Sequence, residues 1–277
     1  MSEHSCDVVV VGAGPAGEVA AGRLADAGLE VAVVESHLIG GECSFYACMP
    51  SKGLLRPGEL LAEVGRIPGA REAATGKLDV QATLSRRDEI IHDLDDSGQL
   101  PWLEDKGIRL FRGHARFEGE RRLSVGDDLL EARRAVIVST GSGAAVPPID
   151  GLREAQPWTN REVTTTKEVP ERLLVLGGGV VAVEMAQAWS TLGSRVTLVE
   201  RGERVIAREE EFASELVADG LRERGVDIRL GAAATGASAR DGDVQLELDS
   251  GESLSGDRLL VAVGRKPHTD DLGLEKI

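Results

Sequence analysis

Two cysteines separated by four residues, Cys43 and Cys48, lie in the stretch GGECSFYACMPSK at 40–52. Such a pair can be a structural staple, half of a metal site, or a thiol–disulfide couple. A staple closing so short a loop removes little chain entropy. The one further cysteine, Cys6, leaves no disulfide framework and reads as a passive thiol. Structural zinc sites usually take four ligands, and there is no second cysteine pair and no clustering of histidines, so no metal site is expected. A disulfide needs its Cα atoms roughly 4.4–6.8 Å apart, whereas residues i and i+5 of a regular α-helix are about 8.7 Å apart. The pair therefore cannot close within one helix. Pro50 suits the first turn of a helix, which puts Cys48 at or beside a helix N-terminus and Cys43 in an irregular segment before it. That location favours a thiolate. Redox exchange is the reading that fits best, and an inert pair is the alternative.

Such chemistry needs a carrier of electrons, and two other segments supply sites for one. CDVVVVGAGPAGEVAAGRLADAGLEVAVVE at 6–35 and RLLVLGGGVVAVEMAQAWSTLGSRVTLVE at 172–200 share one plan. Each has a β-branched strand fit for burial on both faces, a glycine turn, an Ala-rich helix, and a second apolar strand ending in Glu. The interval from Gly12 to Glu35 equals that from Gly177 to Glu200. In Gly12-Ala13-Gly14-Pro15-Ala16-Gly17, the first glycine permits the tight turn. Gly14 lets backbone approach a pyrophosphate at the helix N-terminus, and Gly17 lets helix pack on strand. Glu35 can accept hydrogen bonds from a ribose. The second copy, Gly177-Gly178-Gly179-Val180-Val181-Ala182, has the tolerated Ala in third place. Glu200 suits the 2′-hydroxyl of NAD(H) and repels the 2′-phosphate of NADP(H), although Arg201 and Arg204 follow and could accommodate that phosphate.

The chain is expected to be α/β, with two Rossmann-like dinucleotide-binding domains, the second inserted in the first. Between the copies, helices are expected near 51–66 and 79–106, then strands around IRLFRGHARF, RRLSV and RAVIVSTGS. AVPPIDGL reads as a linker. More strands follow the second copy, in VDIRLG, VQLELDSGESL and DRLLVAVGRKP. A net charge of −15 over 277 residues argues against nucleic-acid and anionic-membrane partners. No apolar run reaches a membrane span, and MSEHSCD lacks the basic and apolar regions of a secretory signal. A cytoplasmic protein is the expectation.

GGECSFYACMPSK after a glycine fingerprint resembles the pyridine nucleotide-disulfide oxidoreductases, which include dihydrolipoamide dehydrogenase, glutathione reductase and mercuric reductase. The resemblance runs the length of the chain: first fingerprint, cysteine pair, STGS at 139–142, second fingerprint, and VGRKP at 263–267. It implies FAD in the first domain (1–148), NAD(H) rather than NADP(H) in the second (149–263), and a return to the FAD domain at 264–277. The expected function is hydride passage from nicotinamide through flavin to a Cys43–Cys48 disulfide and on to a small-molecule, dihydrolipoamide-like disulfide. Cys48 would face the flavin and Cys43 would exchange with substrate. Lys52 would lie by the flavin N5, paired with Glu184. Backbone at Gly41, Ala115, Thr140, Gly141 and Gly264 would line the cofactor sites, together with Gly12, Gly14, Pro15, Ala16, Gly17, Glu35, Gly177, Gly179, Val180 and Glu200.

Two departures from the family stand out. Its usual VNVG between the cysteines is here Ser44-Phe45-Tyr46-Ala47, and two aromatics beside the exchanging thiol are expected to reshape the substrate pocket. Members also continue past the position of Ile277 into a third FAD motif and a dimerisation domain with a catalytic His–Glu pair, which makes them homodimers. The chain therefore reads as a fragment that cannot turn over a disulfide at an appreciable rate. Its five histidines, His4, His37, His92, His114 and His268, read as surface or packing residues. An NADH diaphorase reducing quinone, metal ion or oxygen, and a catalytically silent nucleotide-binding module, are the competing readings.

Overall fold

The computed structural model describes residues 2–277. The chain opens with β1 (Ser2–Val11), α1 (Pro15–Asp26), β2 (Val31–Glu35), α2 (Gly41–Phe45), α3 (Cys48–Arg66), α4 (Val80–Ile90) and α5 (Leu100–Asp105). Strands β3 (Arg109–Arg112), β4 (Ala115–Gly119), β5 (Arg122–Val125), β6 (Asp128–Val138) and β7 (Ser142–Ala144) follow. Next come α6 (Asn160–Thr165), β8 (Arg172–Leu176), α7 (Val180–Thr191), β9 (Arg195–Glu200), α8 (Glu211–Glu223) and β10 (Asp227–Leu230). The chain closes through β11 (Ala234–Arg240), β12 (Asp243–Leu248), β13 (Ser253–Gly256), β14 (Arg258–Val261) and β15 (Arg265–Pro267). Two compact units result. One takes Met1–Met49, Ile91–Gly143 and Lys266–Ile277, and the other takes Pro50–Ile90 and Ala144–Arg265. The second is thus inserted in the first along the chain.

The first unit is built on a six-stranded sheet, ordered β3-β2-β1-β6-β5-β4. Strands β3, β2, β1 and β6 run parallel, while β5 and β4 fold back as an antiparallel meander. Alternation along the pleat divides the apolar run of β1 between two cores. Val8 and Val10 pack with Val31, Val33 and Ala21. Val9 and Val11 pack with Ala32, Val34, Phe117 and Leu130. A strand covered on both faces has to be apolar throughout, and all of VAVVE in β2 is buried.

The second unit repeats the plan with a four-stranded parallel sheet, β10-β9-β8-β14, and adds an antiparallel sheet, β11-β12-β13. On one face Leu173, Val175, Ala186, Trp189 and Leu198 pack with Leu54, Leu55 and Leu84. That packing is why residues 50–90 group with the second unit, although the sequence reading puts them in the first domain. On the other face Leu174, Leu176, Val199 and Leu259 pack with Leu246 and Leu152.

Three elements differ from expectation. The helix expected over 79–106 is broken: α4 ends at Ile90, and His92, Asp93 and Leu94 have φ of 50°, 48° and 64°. The acids beyond the break turn to backbone instead of continuing the helix. Asp95 accepts from the Ser97 N–H at 2.9 Å and Asp96 from the Ile39 N–H at 2.7 Å. Helix α8, over a segment for which no element was expected, buries Ser214, Ala218 and Leu221 at helical spacing. Strand β11 lacks an apolar alternation and is held by its antiparallel partner β12.

Candidate active site

The first glycine turn is dictated by close contacts. Gly12 has φ +98°, its N–H donates to Val34 O at 2.8 Å, and a Cβ there would stand 2.4 Å from Ser139 O. At Gly17 a Cβ would stand 1.9 Å from Gly12 O, so α1 packs directly on the turn. Gly14 differs. It caps α1 in an extended conformation, and its added Cβ would meet only Gly41 Cα, at 3.9 Å. Pro15 and Ala16 are exposed, and no side chain caps the helix. The turn therefore presents an open helix N-terminus, the arrangement that receives a phosphate. Glu35 is only 9% exposed, and its carboxylate accepts the Ala13 and His37 N–H groups, each at 2.7 Å. Gly41, at φ +58°, comes so near that its Cβ would touch Gly14 Cα at 2.8 Å.

The second turn repeats this geometry. Gly177 has φ +118°, donates to Val199 O at 2.8 Å, and lacks room for a Cβ, which would stand 2.4 Å from Ala262 O. Gly179 caps α7 in an extended conformation with nothing within 4 Å of an added Cβ. Val180, the first residue of α7, is 59% exposed. Glu200 folds back over Gly178 and accepts the Gly202 N–H at 2.7 Å. Arg204 turns to its own loop, donating to the Ala207 and Glu209 carbonyls at 3.0 and 3.2 Å, while Arg201 is exposed.

The cysteines occupy the joint between two helices. Cys43 lies in the five-residue α2, Tyr46 is its C-cap at φ −134° and ψ 0°, and Cys48 begins α3. The break at 46–47 removes the regular-helix spacing that would hold the sulfurs apart. Cys43 is half-buried and Cys48 is exposed. Burial pushes the Cys43 thiol up to about 11, and the neighbouring Cys48 adds to the effect, while the Cys48 backbone N–H pulls the other way. Glu18 in the first turn of α1 also acts on Cys43 electrostatically, and its own carboxyl is raised by burial and by Glu35. The sequence reading did not single out Glu18; an acid directly after the glycine fingerprint was the available signal. Cys6 is buried and donates to Val8 O at 3.3 Å, and burial raises it too.

Within the second unit, Lys52 and Glu184 are in contact, with Nζ 2.7 and 2.8 Å from the two carboxylate oxygens. Thr140 and Gly141 are engaged by the returning chain: the Thr140 hydroxyl donates to His268 O at 2.7 Å, and Gly141 O accepts the His268 N–H at 3.0 Å. Ala115 lies buried in β4 opposite Val125. Gly264, at φ +154°, accepts the Ala145 N–H at 2.9 Å. Phe45 and Tyr46 are 2% and 7% exposed, so both rings are packed inward. His4 pairs with Asp128 and His114 with Asp271, in keeping with surface and packing roles, but His37 holds the Tyr46 hydroxyl. Among the described residues no group of three metal-ligating side chains converges, and no helix is long and apolar enough to cross a membrane.

Comparison with known proteins agrees with this geometry. Mercuric reductase of Staphylococcus aureus is 31% identical over 274 residues, which cover 97% of this chain and 50% of that protein. Dihydrolipoyl dehydrogenase 3 of Pseudomonas aeruginosa is 35% identical over 289 residues, covering 99% of this chain and 61% of that one. Among solved structures, the Cu(II) complex of the HOCl-induced flavoprotein disulfide reductase RclA from Escherichia coli matches with a TM-score of 0.86. Its identity is 29%, over 99% of this chain and 59% of that one. The chain thus spans about half to three-fifths of the relatives it matches. Residues 6–277 match the family model described as pyridine nucleotide-disulphide oxidoreductase, and with two glycine turns and a thiol pair in the matching order, the chain belongs to that family, whose members depend on FAD and draw electrons from NAD(P)H.

Proposed function

We propose that the protein containing this chain is an NADH-dependent flavoprotein that passes two electrons to a Cys43–Cys48 disulfide and from there to a small-molecule disulfide, in the cytoplasm. The observation that carries the reading is a half-buried Cys43, its thiol pushed up by burial and by the neighbouring Cys48, beside a Cys48 that starts a helix. The cofactor sites fit their groups: a Cβ at Gly14 or Gly179 would fill space left beside an uncapped helix N-terminus. FAD at the first turn, when bound, would supply the two-electron step between nicotinamide and disulfide.

The chain's own residues do the rest. Gly12, Gly14, Pro15, Ala16 and Gly17 orient the first dinucleotide, Glu35 holds its ribose, and backbone at Gly41, Ala115, Thr140 and Gly141 completes the site. Gly177, Gly179, Val180 and Glu200, with Gly264, do the same for NADH. Glu200 supports NADH over NADPH, because its carboxylate meets a ribose diol and repels a 2′-phosphate, and the turning of Arg204 toward its own loop agrees. Lys52 places a cation for the reduced flavin, oriented by Glu184. Cys43 attacks the substrate disulfide, forming a mixed disulfide and releasing one product thiol, and Cys48 then attacks the Cys43 sulfur, releasing the second thiol as the Cys43–Cys48 disulfide re-forms.

Two measurements test this. Titration with FAD should quench its fluorescence at one site per chain, and its absence here and in any longer natural form would refute the reading. In such a longer form, disulfide reductase activity should vanish in Cys43→Ser and in Cys48→Ser. A metal-ion acceptor is the second reading, favoured by relatives named mercuric reductase; mercuric ion assayed beside a panel of disulfides separates the two.

A further inference from the structure

Tyr46 stands where the family has an aliphatic residue, and the functions assigned above give it no role. Its ring is buried and lies nearly parallel to the His37 imidazole, with centroids 5.7 Å apart at 10°. Its hydroxyl is 2.9 Å from His37 Nε2. His37 is itself anchored at both ends of its backbone. Its N–H donates to Glu35 Oε1 at 2.7 Å, and its carbonyl accepts from Arg112 at 2.8 Å. Arg112 pairs with Asp96 at 2.8 Å, and Asp96 also takes the Ile39 N–H. The imidazole is thus a fixed post standing against a residue that lies between the two cysteines.

The position of Tyr46 gives this contact its consequence. Cys43 and Cys48 can approach only because the helix breaks between them, and Tyr46 is the C-cap at that break. The backbone angles at Tyr46 therefore set how closely one sulfur meets the other, and the side chain of Tyr46 is held by ring and hydroxyl. We propose that His37 is a positioning residue for the Cys43–Cys48 couple, acting through the Tyr46 hydroxyl to hold the joint in the conformation that lets the disulfide close. This rests on the reading of the pair as a redox couple. His37 is exposed, so its replacement leaves the core intact, and Tyr46→Phe keeps the buried ring.

The test is the equilibrium of the whole chain with glutathione. Two protein thiols give up two electrons and two protons to one glutathione disulfide, forming one intramolecular S–S bond and two glutathione thiols. Samples held in glutathione buffers, quenched in acid and mass-tagged give the equilibrium constant. Tyr46→Phe and His37→Phe should each lower it about fivefold, a shift of about 21 mV for a two-electron couple. His37→Gln, which restores a polar group at the position of Nε2, should recover most of the loss. The double variant His37→Phe/Tyr46→Phe should be no worse than either single one, because both remove the same bond. Constants within twofold of the wild type in both single variants would overturn the proposal. So would additive losses in the double variant, or a His37→Gln variant as poor as His37→Phe. A wild-type chain that forms no Cys43–Cys48 disulfide at any buffer ratio refutes the redox reading instead, which is a separate result.

Discussion

The two glycine turns are nearly the same object built twice, and a steric difference at the third glycine position shows what that position is for. Gly12 and Gly177 are interchangeable: both have positive φ, both donate to the strand carrying the terminal Glu, and both abut a carbonyl of the neighbouring strand. Gly14 and Gly179 are interchangeable as well, with open space where a side chain would be. The third position is not. At Gly17 the helix rests on the turn so closely that a methyl would overlap Gly12 O. Ala182 carries that methyl fully buried in the second unit's core. The Ser139 hydroxyl, which donates to both Val11 O and Gly12 O at 3.0 and 2.9 Å, fills the remaining space in the first turn. The glycine at the third position is thus a packing requirement of one copy, while the second glycine leaves open space beside an uncapped helix N-terminus in both.

The largest effect follows from that contrast. Gly17→Ala should destabilise the first unit by about 3 kcal/mol and abolish FAD binding, because backbone cannot yield as a side chain can. Denaturant unfolding and FAD titration check it; a stable Gly17→Ala protein that binds FAD would remove the steric argument.

A second contrast is that only the first unit carries a thiol pair, a half-buried Cys43 beside an exposed Cys48. Burial favours the neutral thiol, so Cys43 has little thiolate at ordinary pH. At pH 8 its iodoacetamide alkylation should be on the order of a hundredfold slower than in the unfolded chain. The rate should climb about tenfold per pH unit toward pH 11. Peptide mapping of alkylated protein reads this directly, and a plateau near pH 8 would contradict it.

Glu200→Ala should weaken NADH about tenfold, the loss of one charged hydrogen-bond acceptor, and should leave NADPH binding unchanged or improved. Equilibrium binding of both nucleotides sharpens the comparison with Glu35, whose carboxylate also ties down two backbone amides of its own unit. The smallest effects are at Ala182→Gly, about 1 kcal/mol of helix propensity, and at Lys52–Glu184. That pair is 61% and 27% exposed, so a double-mutant cycle on unfolding should give a coupling of about 1 kcal/mol or less.

What could be read without a structure were the features in which local chemistry and short-range spacing coincide. The glycine fingerprints, the strands that follow apolar runs, the terminal acids, and a cysteine pair unable to close inside one helix all depend on neighbours within about two dozen residues. Their physical causes, allowed φ, pleat alternation and helix geometry, are properties of the local chain. Other features depended on residues far apart. Leu54, Leu55 and Leu84 join the second unit because they pack with Leu173 and Trp189 there, which periodicity in a helix cannot specify. The helix expected over 79–106 breaks where Asp96 reaches the backbone of Ile39. Phe45 and Tyr46 turn inward, and His37 meets the Tyr46 hydroxyl, neither of which their types alone reveal. Sequence determined which groups could carry electrons and nucleotides. Tertiary packing decided which aromatic is buried, which histidine holds it, and how near two sulfurs come, because burial and long-range hydrogen bonding are set by partners that local sequence does not name.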